Sequence, residues 1–412
     1  MSRVKPPMGR AESRRAAALA ADVRRRLRRD EADLVAFVAD LVRIPSENPP
    51  GAAYDRCAAL IATRLRELGL SVVVHDPSGV GPCVAATFGE GGRPLYLSGH
   101  YDVVPAQAPA QFAPTVAKGR IHGRGAADMK GGIAAMAFAI RALASSGFQP
   151  AGRIISMSVP DEETSGPNGT VALAAADVLE RDAVGMLTME PTSGVVWNAN
   201  RGVVSLRVTV RGQPAHVGLH FRGVNAFLGM LSVANRLAEL NGRVSERRTG
   251  FDIAPEAAKR SVMLLGGELS GGRNFNVVPD RVSFTVDRRP NPEEDFDLER
   301  DALLEVIDQA RADGIDCEAE VMQEGRSAST DPSGPLGRAL SASIASVTGK
   351  PARFELCPGA LETRHYAALG IPALAYGPGL LSVSHGPHEF VSVRKLLQCA
   401  EVYALTAAAL QS

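Results

Sequence analysis

Six side chains able to hold a cation or move a proton fall where apolar runs give way to loops. They are His100, Asp128, Glu162, Glu163, Glu190 and His385. The runs read as strands: PLYLSGHYDVV (94–104), RIISMSVPDEET (153–164), VGMLTMEP (184–191) and PALAYGPG (372–379). Imidazole and carboxylate together suit Zn²⁺ and similar divalent ions. Asp128 stands in GRGAADMKGG (123–132), where a glycine-rich loop feeds the apolar run IAAMAFAIRALASSG. An Asp there serves equally as a helix cap. The other candidate ligands, spread from His100 to His385, make it the best bridge between two ions.

Spacing sharpens the reading. His100 and Asp102 lie two apart on a strand, which puts both on one face. A ligating His commonly donates its second N–H to a carboxylate; an exposed His beside an exposed Asp is the alternative. Asp161, Glu162 and Glu163 are consecutive acids. Without a cation such a cluster faces solvent, because buried like charges repel and lose hydration. With a cation, one Glu ligates while its neighbour stays free as a base. Glu190, before Pro191, carries the same ambiguity alone. SHGPHEF (384–390) offers His385, His388 and Glu389 after another strand. Parallel sheets bind ligands beyond the carboxyl ends of their strands. One shared Asp with two further ligands per metal would hold two ions about 3.5–4 Å apart. A single ion would leave two carboxylates without a role.

The elements that must position these groups follow a recognisable order. EADLVAFVADLVRI (31–44) places Leu34, Val35, Val38, Leu41 and Val42 on one helical face, and Pro45 ends it. SENPPG reads as a loop and 52–68 as a second helix. Strands then alternate with helices, which predicts an α/β domain with a largely parallel sheet. Near residue 197 the pattern changes. RGVVSLRVTVRG (201–212) alternates apolar and polar, as a half-buried antiparallel strand does. Helices at about 224–240 and 293–312 and the strands SVMLLGGEL and DRVSFTVDRR complete a small inserted α+β domain. EAEVMQ, the helix 335–347, FEL, PALAYGPG and the helix 392–410 are expected to resume the α/β pattern. The expected division is an N-terminal extension (1–30), a first catalytic part (31–197), the insertion (198–312) and a second catalytic part (313–412).

Composition narrows the partners. Lys plus Arg equals Asp plus Glu at 45 each, so net charge offers nothing to nucleic acid or an acidic membrane. No apolar run reaches transmembrane length. The cysteines, Cys57, Cys83, Cys317, Cys357 and Cys399, are scattered and odd in number, which predicts reduced thiols in the cytoplasm. The Arg-rich first 30 residues also hold Glu12, Asp22 and Asp30, unlike a transit peptide; a solvated helical extension is expected.

SGHYDVVP, GRGAADMKGG, PDEET, MEP, NVVPD, DRRPNP and GPGLLSVSHGPHEF together resemble a known family. It is the di-zinc amidohydrolase and peptidase family of acetylornithine deacetylase, succinyl-diaminopimelate desuccinylase, aminoacylase and glutamate carboxypeptidase. The resemblance covers roughly 34–405. It implies one zinc on Asp128, Glu163 and His385 and another on Asp128, His100 and Glu190, with Co²⁺ as a substitute. It implies that Asp102 orients His100, that Glu162 is the general base, and that a cis peptide follows Asp128. It implies that His216 in RGQPAH reaches a catalytic site, in many relatives the partner subunit's. Asn276 and Arg289 match substrate-binding positions, and the inserted domain would form a homodimer. Two positions depart from the family: Glu362 replaces the usual Asp in GALETR, and His388 stands for Asn or Asp and is not counted as a ligand. The implied reaction is hydrolysis of the amide bond of an N-acyl amino acid. The alternatives are a metallo-dipeptidase or carboxypeptidase acting on short peptides and, from another class, a metal-binding or interaction protein without catalysis.

Overall fold

A computed structural model describes residues 10–412, with side chains from residue 14. Residues 1–9 of the expected extension lie outside the described residues. The chain divides into two compact units. The larger takes residues up to Asn198, Thr330–Phe354 and His365–Ser412; the smaller takes Ala199–Ser329 and Glu355–Arg364.

The larger unit is built on a sheet whose strands run, in spatial order, Ser71–His75, Cys83–Phe88, Arg153–Val159, Pro94–His100, Gly185–Thr188, Ala373–Ala375 and Val196–Asn200. The four strands from Arg153–Val159 to Ala373–Ala375 are mutually parallel, and the flanking pairs are antiparallel. Pro94–His100 is buried along its whole length, Ser98 and His100 included, as a central parallel strand covered on both faces is. The α/β expectation is borne out.

The helix Gly131–Ser145 packs with the helices Glu31–Val42 and Val393–Leu410 in one core with Leu34, Leu41, Leu396 and Tyr403. Its small residues let it be buried on nearly every side. At its start, a Cβ on Gly132 would lie 2.6 Å from both the Cβ and the carbonyl oxygen of Met189. Glycine there lets the helix press against the residue before Glu190. The helix Arg10–Arg29 is docked as well as solvated: Val23 and Leu27 are buried, and Arg24 pairs with Glu401 at 2.8 Å.

The smaller unit holds an antiparallel sheet in the order Val262–Gly271, Arg281–Arg289, Val203–Arg211, Cys317–Gly325. Inward residues Leu206, Val208 and Phe284 meet Val233, Leu237, Leu303 and Ile307 of the helices Ala226–Glu246 and Phe296–Ala312. The strand Cys317–Gly325 pairs with Val203–Arg211, so this unit runs past the expected boundary at 312. A strand after a helix reads alike in both architectures, and only its partner settles which sheet it joins. Behind the sheet, the fully buried Arg288 is held by Glu294 at 2.7 Å and Glu299 at 2.8 Å.

Candidate metal centre

The parallel strands deliver their chemistry at one edge. His100 ends its own strand, Asp161–Glu163 follow Arg153–Val159, and Glu190 follows Gly185–Thr188. His385 lies on the loop beyond Ala373–Ala375. Asp128 sits in the irregular turn Ala126–Lys130 with an extended backbone (φ −126°), and the residue that precedes the helix Gly131–Ser145 is Lys130, so Asp128 is not the cap of that helix. Its peptide bond to Met129 is cis. Gly125, at φ 81°, supplies the left-handed residue that opens this turn.

The Asp128 carboxylate lies between the two histidines. Oδ1 is 3.3 Å from His100 Nε2, and Oδ2 is 3.3 Å from His385 Nε2. Glu163 Oε2 is 3.2 Å from the same His385 nitrogen. Two groups of three have ligand atoms within 4.8 Å of one another: His100, Asp128 and Glu190, and Asp128, Glu163 and His385. Glu162 stands outside both, with Oε2 3.9 Å from His100 Nε2. His100 Nδ1 is 3.0 Å from the backbone oxygen of Asp102 and 3.4 Å from its Oδ1. Both neighbours are acceptors, so Nδ1 carries the hydrogen and Nε2 faces Asp128.

The electrostatics call for positive charge. Burial pushes the Glu190 carboxyl well above its ordinary range; His100 opposes this, while Glu162, Asp128 and Glu163 reinforce it. Glu163 is raised by the same burial, against a hydrogen bond from His385. The hydrogen bonds to Asp128 and then Glu163 draw His385 up to about 10. Glu190 Oε1 is buried and accepts no hydrogen bond from any of the described residues. An unpartnered acceptor among converging carboxylates fits a pair of divalent ions in chemistry as well as in position.

Residues outside the expected ligand and catalytic set hold the ligands in place. Glu389 accepts from Arg124 Nη1 at 2.6 Å and from the backbone N–H groups of Ala127 and Asp128 at 2.9 and 3.1 Å. Arg124 Nη2 donates to the His385 carbonyl at 3.1 Å. One buried ion pair thus ties the Asp128 turn to the His385 loop. Asn48, in the segment read as a plain loop, touches Asp102 and Asp161. No local signal marks it, because its partners lie 54 and 113 residues away.

The remaining expected site residues belong to the smaller unit. His216 Nδ1 accepts from the Gly218 N–H at 3.1 Å, which leaves the hydrogen of a neutral ring on Nε2. Arg289 is forked onto its neighbour Asp287 at 2.8 and 2.9 Å. Asn276 is half-buried and Glu362 buried. His388 is exposed.

Residues 96–409 match the sequence profile of peptidase family M20/M25/M40. A probable succinyl-diaminopimelate desuccinylase of Staphylococcus aureus is 30% identical over 247 residues, 54% of this chain and 61% of that protein. That match therefore spans less than two thirds of the relative's length. A succinyl-diaminopimelate desuccinylase of Cupriavidus necator is 28% identical over 388 residues, 90% of this chain and 97% of that protein. In three dimensions the chain resembles a metallo-carboxypeptidase of Sulfolobus solfataricus, with a TM-score of 0.78 at 17% identity over 92% of this chain and 99% of that one. It also resembles a dinuclear metal-binding peptidase of Bacillus subtilis, with a TM-score of 0.69 at 16% identity over 93% and 99%. These two likenesses show the fold.

Proposed function

The chain belongs to peptidase family M20/M25/M40, and from that premise we propose that it is a metal-dependent hydrolase cleaving the amide bond of an N-acyl amino acid. The observation that carries this is the pair of ligand groups sharing Asp128, with an additional carboxylate, Glu162, beside them. His100, Asp128 and Glu190 would hold one Zn²⁺, and Asp128, Glu163 and His385 the other, with Co²⁺ able to substitute. When bound, such ions acidify water and polarise the scissile carbonyl. Glu162 takes a proton from the attacking water and returns it to the leaving amine. Asp102 keeps the His100 ring in one tautomer. His216 offers its Nε2 hydrogen to the oxyanion. Arg289, held by Asp287, meets the substrate carboxylate, and Asn276 and Glu362 line the substrate.

The deacylase reading is supported by the desuccinylase relatives, one of them matched along nearly its whole length. A homodimer through the smaller unit is supported by its exposed apolar side chains, Phe221, Leu228, Leu269 and Phe275. All five cysteines are buried and none is joined in a disulfide, which supports the cytoplasm. Among the described residues no helix is long and apolar enough to cross a membrane.

The test is hydrolysis of a panel by protein stripped with a chelator and reloaded with Zn²⁺ or Co²⁺. N-acetyl, N-succinyl and longer N-acyl amino acids are offered with dipeptides alongside. We expect metal-dependent release of the amino acid from an acyl substrate. Turnover of dipeptides alone would replace the deacylase by a dipeptidase. Full activity without metal would overturn the mechanism, and bound metal without any turnover would leave a binding protein.

A further inference from the structure

Asn48 is 5% exposed, and its side chain faces three acceptors. Its Nδ2 lies 2.9 Å from Asp102 Oδ2, 3.0 Å from Asp161 Oδ1 and 3.1 Å from Thr164 Oγ1. Thr164 Oγ1 itself donates to Asp161 Oδ1 at 3.1 Å. The two amide hydrogens therefore serve the two carboxylates. The orientation of the amide is set by chemistry, since a flipped group would point its oxygen at both acids.

The backbone around Asn48 is pinned to the same place. Its N–H donates to the Val103 carbonyl at 2.8 Å, and the Val103 N–H donates to the Ser46 carbonyl at 2.9 Å. Ser46 Oγ donates to the Tyr101 carbonyl at 2.6 Å. Residues 46–48 thus run beside 101–103, on either side of Asp102.

Each carboxylate that Asn48 holds reaches the metal centre by another route. Asp102 lies against His100 Nδ1, and its Oδ2 also accepts the Glu163 N–H at 3.0 Å. Asp161 closes the loop that carries Glu162 and Glu163. Its Oδ2 accepts from the Asn168 side chain at 2.7 Å and the Asn168 N–H at 3.1 Å.

We propose that Asn48 is a positioning residue of the metal centre, its amide joining the His100–Asp102 pair to the loop that bears Glu162 and Glu163. The assignment of ligands and base rests on the function proposed above; the role of Asn48 adds to it. Two buried carboxylates brought this close repel unless a donor sits between them. Asparagine supplies two donors and no charge. Aspartate has the same shape but would set a third carboxylate against the first two.

The test compares Asn48→Asp and Asn48→Ala with the unaltered chain. Zn²⁺ affinity is measured by competition with a chromophoric chelator, kcat and KM at saturating Zn²⁺, and the melting temperature without metal. Loss of a group that orients ligands weakens metal binding or activity about 10–100-fold. We expect both variants to lose Zn²⁺ affinity by that factor. At saturating Zn²⁺ we expect kcat to fall about tenfold or more with KM within about twofold. Unchanged affinity and kcat per folded chain would overturn the proposal. So would a loss in Asn48→Ala that Asn48→Asp does not share, which would assign the effect to bulk. Should Asn48→Asp fail to fold, Asn48→Leu, which keeps a branched side chain of similar size but offers no donor, must show the same losses. Unaltered protein that binds Zn²⁺ but hydrolyses nothing would overturn the hydrolase reading alone, and affinity would then decide the role of Asn48.

Discussion

Removing the Glu389 carboxylate should separate what stabilises the larger unit from what shapes its metal centre. Glu389 and Arg124 are 2% and 1% exposed, and their charged atoms are 2.6 Å apart. Glu389→Ala strands a buried guanidinium, which among the described residues keeps the His385 carbonyl alone. Breaking a buried pair by deleting one partner costs roughly 3–5 kcal/mol. For a unit of this size each kcal/mol lowers the melting temperature by roughly 2 °C, so a fall of about 6–10 °C is expected. The assay is thermal unfolding by circular dichroism in chelator-treated protein, so that metal binding does not mask the loss. The comparison is Arg124→Met with Glu389→Leu. Replacing both partners by apolar groups of similar volume is often neutral for stability. The double variant should therefore recover the part of the melting temperature lost to the stranded charge, and not the part lost to the two backbone N–H groups left without an acceptor. It should not recover Zn²⁺ affinity, because the Ala127 and Asp128 N–H groups still lack their acceptor. A single variant melting within about 1 °C of the parent would refute the energetic argument. Full Zn²⁺ affinity in the double variant would refute the positional one.

The general-base assignment is checked by metal analysis beside turnover: Glu162→Ala should abolish hydrolysis with metal content near normal, whereas Glu163→Ala should lose metal. His216→Ala should lower kcat by about 10²–10³ with both metals kept, and an unchanged kcat would remove His216 from the mechanism. In the smaller unit, burial works against ionised Glu294, but hydrogen bonds from Ser261, Arg247 and the Asn291 N–H, with the charge of Arg288, hold its carboxyl below the ordinary value of 4.5. A carboxyl held low in the folded state contributes stability above its unfolded pKa and loses it as pH falls through the folded value. Urea midpoints should therefore fall below about pH 4.5, and Glu294→Gln should flatten that acid limb.

Much of the fold was legible because parallel and antiparallel strands bury different numbers of faces. PLYLSGH and GMLT show no alternation of apolar and polar residues and are central parallel strands. RGVVSLRVTVRG alternates and lies in the antiparallel sheet. The boundary at 312 was not legible, for the same reason in reverse. EAEVMQ follows a helix, as a strand of either sheet could, and its partner Val203–Arg211 lies more than 100 residues earlier. Pairing at that distance leaves no periodic trace. The first 30 residues show a related limit: Arg24 finds Glu401 across 377 residues.

Within the site, the candidate ligands stood out because histidines and carboxylates are uncommon beside buried strands. Asn48 had no such mark. A neutral amide near prolines resembles any turn, and its meaning lies in Asp102 and Asp161. Glu389 is more instructive, since it is a glutamate as Glu190 is, is also buried, and stands in the same motif as His385. Residue type cannot tell the two apart, but their partners can. Glu389 is closed by Arg124 and two backbone N–H groups, all supplied by the protein. Glu190 keeps a buried oxygen that accepts nothing from the described residues. A buried acid matched by a protein cation braces the site, whereas one left unmatched must draw its positive charge from outside the chain. On that criterion Glu190 is open to an ion and Glu389 is not, and metal analysis of Glu190→Gln beside Glu389→Gln would decide it. The first should lose an ion at saturating Zn²⁺, and the second should keep both. Loss of neither ion from Glu190→Gln would show the criterion to be false.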